Sequence, residues 1–141
     1  MSNASDHLEY LLSQSLFQAN NFATALTTSA GIYVGLYIVA PTDTGGSTEV
    51  STTAGYARAL TSAVNWTMVT AGTITAKNTS AMIFAANTGT AYTVTDVAFH
   101  NHETATAFTN YLMRGALSAN VLVPAGDQFQ FLASALIVTI S

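Results

Sequence analysis

Few residues of this chain are of types that could carry chemistry, and the densest group is His100-Asn101-His102-Glu103. If a strand continues through this group, His100 and His102 point to one face. Two imidazoles in that arrangement can bind Zn²⁺ or Ni²⁺ when a third ligand comes from elsewhere. The chain has no Cys, and its only other His is His7, so the third ligand would have to be a distant carboxylate. We therefore favour a polar turn between two strands, keep His100 and His102 as candidate metal ligands, and expect no cofactor.

The carboxylates give no sign of an acid–base pair. Asp43, Glu49, Asp96 and Asp127 have no diagnostic spacing, and glycosidase geometry does not follow from such a set. Asp43 and Asp127 stand in turn sequences, where Asp commonly hydrogen-bonds to its own backbone. No nucleophile elbow and no Gly-rich phosphate loop is present. The sequence predicts that the protein is not an enzyme.

The most distinctive short motif is Gly55-Tyr56-Ala57-Arg58, which we predict to open a strand, with Tyr56 and Arg58 on one face. Arg58 is one of only three cations in the chain, and we expect a carboxylate such as Glu49 or Asp43 to hold it. That contact would pin the loop 41–53 to the sheet. The alternative is that Arg58 contacts a partner. We favour the first interpretation because a long loop needs anchoring before it can bind anything.

One segment, N-terminal to the residues discussed above, has apolar residues at helical spacing. The spacing predicts a helix over 6–17, with Asp6 as N-cap and Glu9 in capping-box position. Its apolar stripe is Leu8, Leu11, Leu12 and Leu16. This stripe predicts either a plug for one end of the core or a contact surface for a partner, and we favour the plug.

The rest of the chain has the pattern of short strands. We predict strands at Ile32–Ile38, Tyr92–His100 and Phe108–Leu117, the last two as a hairpin, and a turn at Pro124–Asp127. Eight or nine strands with frequent turns indicate an all-β, antiparallel β-sandwich or jelly-roll-like fold with a short N-terminal α-helix. We predict an N-terminal helix or arm at residues 1–30 and a single β domain at residues 31–141.

The composition favours a component of an assembly. Charged residues make up 7% of the chain, against about 25% in typical soluble proteins. So few charges protect a lone monomer poorly against association. A net charge of −4 with scattered cations predicts no nucleic-acid partner. The longest apolar run, Ala30 to Ala40, is too short to cross a bilayer, so no membrane association is expected.

The stretch from Tyr33 to Arg58, YVGLYIVAPTDTGGSTEVSTTAGYAR, resembles a family of small tailed-bacteriophage virion proteins. Four further segments are similar to that family's pattern in order and spacing: Asn78–Ala81, Thr93–Phe99, Leu112–Leu117 and Val123–Asp127. The chain departs from the pattern at His100–Thr109, where the family usually has a Gly-containing turn. Members are described either as capsid decoration (cement) proteins or as tail-fibre proteins.

The resemblance implies a β-sandwich virion protein made in the bacterial host cytoplasm. Because the chain is small and lacks a fibrous repeat, we expect a decoration protein on the outer capsid surface. It would bind the major capsid protein lattice, associate with itself as a homotrimer, and stabilise the head. The alternative is a tail-fibre or tail-tip protein that binds host glycans. Its sugar-stacking candidates would be Tyr33, Tyr37, Trp66, Tyr92 and Tyr111.

Overall fold

The computed structural model describes residues 4–5, 8–10, 12, 31–42, 46–61, 66–69, 74–104 and 111–140. These residues form antiparallel sheets with a short N-terminal helical segment, which confirms the predicted fold class. The strands are β1 (Ile32–Val39), β2 (Thr48–Glu49), β3 (Ala59–Thr61), β4 (Trp66–Val69), β5 (Ile74–Asn78), β6 (Met82–Ile83), β7 (Tyr92–His100), β8 (Tyr111–Val123), β9 (Gln130–Phe131) and β10 (Ile137–Ile140).

The largest sheet is built around β1 and β7. Its order is β2-β1-β7-β8, and β3 also pairs with β1. The first half of β1 pairs with β3 and the second half with β2, so these two short strands share the edge of β1 that faces away from β7. The predicted pairing of β7 with the strand that follows it is confirmed.

Two smaller sheets complete a sandwich-like arrangement. One has the order β10-β5-β4, and the other pairs β6 with β9. The main core contains buried side chains of the large sheet together with the aromatic rings at and near β6 and β9. Its buried members are Val34, Leu36, Val50, Tyr56, Phe84, Val94, Val97, Phe99, Leu112, Val123, Phe129, Phe131 and Leu136.

Strand β1 is buried on both faces, as its dense apolar sequence predicted. Val34 and Leu36 point into the main core. Because side chains alternate along a strand, Gly35 and Tyr37 point to the opposite face. There Tyr37 forms a second buried cluster with Ala98 and Tyr111. The Tyr37 face carries the polar residues of the candidate site.

The prediction that Gly55–Arg58 opens a strand is wrong. A 3₁₀ helix spans Thr52–Ala54, and Gly55 ends it with φ of 75° in the left-handed region. A side chain at Gly55 would also bring Cβ to 2.8 Å from Oγ1 of Thr88, so the turn requires Gly there. Only after Arg58 does the chain enter a ladder, at Ala59 in β3.

The strand predicted at Phe108–Leu117 also differs, because β8 runs on to Val123. The chain stays in one strand through an irregularity in its pairing with β7. Val94 pairs with Val121, whereas Asp96 pairs with Ala116. Residues 117–120 therefore bulge opposite the single residue Thr95.

At the N-terminus, residues 8–10 and 12 are helical. The backbone N–H of Leu8 donates to Oγ of Ser5 at 3.2 Å, which is the geometry of an N-cap. Asp6, predicted as the cap, lies outside the described residues. Within the described part of the chain, no helix is long and apolar enough to span a membrane.

Candidate functional site

The polar residues on the Tyr37 face of the large sheet surround the carboxylate of Glu49. Arg58 donates from Nε to Oε1 at 2.8 Å and from Nη2 to Oε2 at 2.7 Å, a bidentate ion pair. The hydroxyl of Tyr56 donates to Oε1 at 2.8 Å. We call Glu49, Tyr56, Arg58, Tyr37 and His100 the Glu49 cluster.

The cluster ties three parts of the backbone together. Nη1 of Arg58 donates to the carbonyl of His102 at 2.8 Å, just beyond the end of β7. The hydroxyl of Tyr56 accepts from the N–H of Leu36 in β1 at 2.8 Å. Because Glu49 belongs to β2, these contacts fasten the segment 46–58 to both β1 and the end of β7.

Gly35 makes room for this arrangement beneath the sheet. A Cβ at Gly35 would lie 2.9 Å from Oε1 of Glu49 and 3.3 Å from Nε2 of His100. The first distance is shorter than real Cβ contacts, so the carboxylate would have to move. Tyr37 completes this side of the cluster, since its hydroxyl shares a 3.0 Å hydrogen bond with Nε2 of His100.

The electrostatics of the cluster are those of a buried and compensated ion pair. Burial by itself would raise the pKa of Glu49, but the hydrogen bonds and charge of Arg58 outweigh it and hold the pKa below its ordinary value. Burial likewise opposes the charge of Arg58, and Glu49 reverses the effect and raises the Arg58 pKa. Burial and the negative charge of Glu49 both raise the pKa of Tyr37 and of Tyr56. Glu49 and Arg58 are therefore held ionised and the two tyrosines neutral.

The structure thus brings Glu49, Tyr56 and Arg58 into direct contact. Asp43, the other carboxylate considered for Arg58, lies outside the described residues. The side chain of Arg58 is only 3% exposed, so it offers little surface to a partner. Chemically, the arrangement can anchor a loop.

His100 and His102 do not lie on one strand face. Strand β7 ends at His100, which is buried and stacks on the ring of Tyr37. His102 follows in a bend, where its Nδ1 accepts from the N–H of Thr104 at 3.2 Å. Among the described residues, no three His, Asp or Glu side chains come together as a metal site would require.

Two of the four leucines of the N-terminal stripe are described. Leu8 is partly buried and packs against the main core, whereas Leu12 is 49% exposed. Leu11 and Leu16 lie outside the described residues. Nearby, Ser5 donates its N–H to the carbonyl of Leu112 at 2.8 Å, so this segment meets the edge of β8.

The aromatic residues considered for sugar stacking lie mostly in the interior. Tyr33, Tyr37 and Tyr111 are buried. Trp66 is half-buried and packs at a tilt on the ring of Phe99. Only Trp66 and Tyr92 present part of a ring at the surface.

Sequence reasoning missed two buried asparagines that hold the loops of the smaller sheets. Asn78 donates to the carbonyls of Ser80 and Leu132 and accepts from the N–H of Leu136. Asn87 donates to the carbonyls of Thr90 and Val123. No local sequence signal indicates the hydrogen bond from Asn87 to Val123, because the two residues are distant along the chain.

Sequence reasoning also missed a cleft of about 580 Å³ between β8 and β10. We call it the β8–β10 cleft. Its floor is apolar, and its one charged lining residue is Arg114. The sequence gave no signal for it because the cleft depends on how two sheets distant along the chain approach each other. Its lining residues include Val97, Phe99, Leu117, Ala119, Val121, Phe129, Phe131, Leu136 and Val138.

Comparison with known families gives one match. A family model described as "Podophage GP4 fiber I protein gp80" matches residues 3–139, which is nearly the whole chain. A search of curated proteins finds no match.

Proposed function

Because this chain belongs to the podophage GP4 fiber I protein gp80 family, we propose that it is a structural component of a podophage fibre. Family membership makes it a structural protein of a tailed-phage virion. The observation that carries the finer assignment is the extent of the match, which covers residues 3–139 and so includes both the Glu49 cluster and the β8–β10 cleft.

The family description favours the tail-fibre alternative over the capsid decoration role that the sequence led us to expect. The low charge content, which supported decoration, fits a fibre equally well. In both roles much of the surface is covered by neighbouring subunits, so few charges are needed for solubility. Composition therefore does not separate the two roles, and the family description supports the fibre role.

The proposed role is structural and not glycan recognition. Carbohydrate stacking needs an exposed aromatic face, and Tyr33, Tyr37 and Tyr111 are buried. The Glu49 cluster supports a structural role too, because its contacts fasten one segment of the domain to the sheet. We propose that the protein contacts other fibre subunits, including copies of itself.

Immunogold electron microscopy of purified virions tests the assignment. Antibodies raised against the full chain are expected to label the tail or its fibres, while antibodies against the major capsid protein serve as the control and label the head. Quantitative mass spectrometry of the same virions should give far fewer copies than the major capsid protein has. Label spread over the head, with a copy number near that of the major capsid protein, would overturn the fibre proposal in favour of decoration.

A further inference from the structure

The β8–β10 cleft is bordered by two strands that each lie at the edge of a sheet. β10 pairs only with β5 among the described strands, and β8 pairs only with β7. The floor between them consists of side chains from the main core, among them Phe99, Phe129 and Leu136. The sandwich is thus open along this side, within the described part of the chain.

Few features of the outer edge of β8 would prevent another strand from pairing with it. Residues 4–5 meet it only near its start, through a bridge from Ala4 to Met113. From Arg114 to Val123 no described strand pairs with that edge. This stretch runs along Ala98 to Tyr92 of β7, a length of about 20 Å at roughly 3.3 Å per residue. Protein edges are usually blunted by Lys, Pro, shortness or bulges. β8 has the bulge at 117–120, but it contains neither Lys nor Pro and is 13 residues long.

Apolar surface faces solvent beside this edge. Val121 pairs with Val94 in the ladder, so both side chains point to the same face. Val94 is fully buried, whereas Val121 is 41% exposed and lines the cleft. Ile137 in β10 lines the cleft from the other side and is also exposed.

We propose that the β8–β10 cleft binds an extended segment of a second copy of this chain. Extended segments add to open sheet edges through main-chain hydrogen bonds, and alternate side chains enter the adjoining pocket. This contact rests on the association between copies proposed above and names its surface, and it holds whether the virion uses the protein in a fibre or on the capsid.

Charge identifies the occupant as a second copy. Among the described residues, Arg114 is the only charged residue in the cleft lining, and its pairing with Ala98 directs its side chain to the opposite face of the sheet. An occupant rich in charge would therefore lose its hydration without gaining partners. This chain is only 7% charged, so a segment of a second copy meets this requirement, and its few charges do little to keep copies apart.

Sedimentation velocity of the full chain over a range of concentrations tests this proposal. The wild-type protein is expected to associate reversibly into a species of definite stoichiometry. Val121→Lys places a cation in the cleft wall and should weaken association about a hundredfold, since a charge buried without a partner is strongly unfavourable. The matched control is Val39→Lys, because Val39 is also an exposed valine, 52% exposed in β1, and does not line the cleft. It should leave association unchanged.

Ala119→Lys is a second variant that tests the same surface if Val121→Lys does not fold. Ala119 is exposed, has no partner in β7 and lines the cleft, so this change should weaken association without unfolding the domain. Circular dichroism verifies the fold of each variant. A wild-type chain that stays monomeric, folded cleft variants that associate like wild type, or a Val39→Lys variant as weak as Val121→Lys would each overturn the proposal.

Discussion

The Glu49 cluster and the β8–β10 cleft lie on opposite faces of the large sheet and differ in how their polar and apolar groups are satisfied. In the cluster, an ion pair is buried and its hydrogen bonds are made within the chain. In the cleft, among the described residues, a strand edge and side chains of the core border open space, and Arg114 is the one charged lining residue. The cluster therefore fastens segments within one copy, whereas the described residues leave the cleft unfilled.

The contrast also shows where a chain with few charges uses them. The chain has three cations and seven acidic residues, and it pairs Arg58 with Glu49 to fasten a segment to the large sheet. A buried ion pair of this kind adds little net stability against an apolar replacement, but removing one member is costly. Changes in the cluster should thus act on folding, while changes in the cleft should act on association.

The largest difference should come from removing a paired cation and an unpaired one. Arg58→Met leaves Glu49, whose side chain is 20% exposed, without its partner and should lower the free energy of unfolding by about 3 kcal/mol, the low end of the range for buried pairs. Arg114→Met is the matched control. Nε of Arg114 is buried and has no hydrogen-bond acceptor among the described residues, so we expect this change to cost less than about 1 kcal/mol. Urea unfolding at equal protein concentration measures both, and equal losses would mean that the ion pair does not anchor the domain.

The next largest difference in stability should be between substitutions at the two members of one cross-strand pair. Val94→Ala removes two methyl groups from the main core and should cost about 2–3 kcal/mol, through lost burial and a cavity. Val121→Ala changes the paired residue in the cleft wall and should cost less than about 1 kcal/mol, because the removed surface is already partly wet. Urea unfolding should be carried out below the concentration at which copies associate. A Val121→Ala loss as large as that of Val94→Ala would show that the cleft is closed in solution.

The sequence predicted the antiparallel β class and the extent of β7 because hydrophobic alternation and turn residues are local signals. It also singled out Glu49 and Arg58, since a scarce cation near a carboxylate predicts an ion pair. It misplaced Tyr56–Arg58 in a strand. The positive φ of Gly55 and the side-chain contacts to Glu49 fix the conformation of that segment. Strand pairing begins only after it, at Ala59.

The features that the sequence could not predict depend on contacts between segments that are distant along the chain. The bulge at 117–120 follows from how β8 stays in register with β7 on both sides of Thr95. No residue type in the sequence predicts it. Asn87 reaches Val123, and Asn78 reaches Leu132 and Leu136. The cleft arises in the same way, where two sheet edges meet above the core.

Glycine substitutions sharpen the comparison at smaller magnitude. Gly35→Ala would place Cβ 2.9 Å from the Glu49 carboxylate and should cost about 1–3 kcal/mol through overpacking. Gly115→Ala in β8 is the control, because its Cβ would meet no atom within 4 Å. That change should be neutral or stabilise by about 0.4–1 kcal/mol through the unfolded chain. Thermal unfolding of both variants decides, and a neutral Gly35→Ala would mean that Glu49 is not held against β1.

Alkaline pH should act on the cluster and spare the cleft. Burial and Glu49 raise the pKa of Tyr37 and Tyr56 above the ordinary value of 10.0. Below pH 10 both tyrosines are neutral in the folded and unfolded states, so they contribute no pH dependence. Above it, the unfolded chain releases protons that the folded chain retains. Stability should then fall by about 1.4 kcal/mol per pH unit for each tyrosine.

Tyr37→Phe should reduce the slope of stability against pH above pH 10 by about 1.4 kcal/mol per pH unit, because one proton that the folded chain retains is lost. Urea unfolding between pH 9 and 11 measures the slope in both proteins. An unchanged slope in Tyr37→Phe would show that this hydroxyl is hydrated in the folded protein. Among the residues that the structure describes, no tyrosine lines the cleft. Association of the molecules that remain folded should therefore be constant, so that alkali weakens the fold of each copy before it weakens the contact between copies.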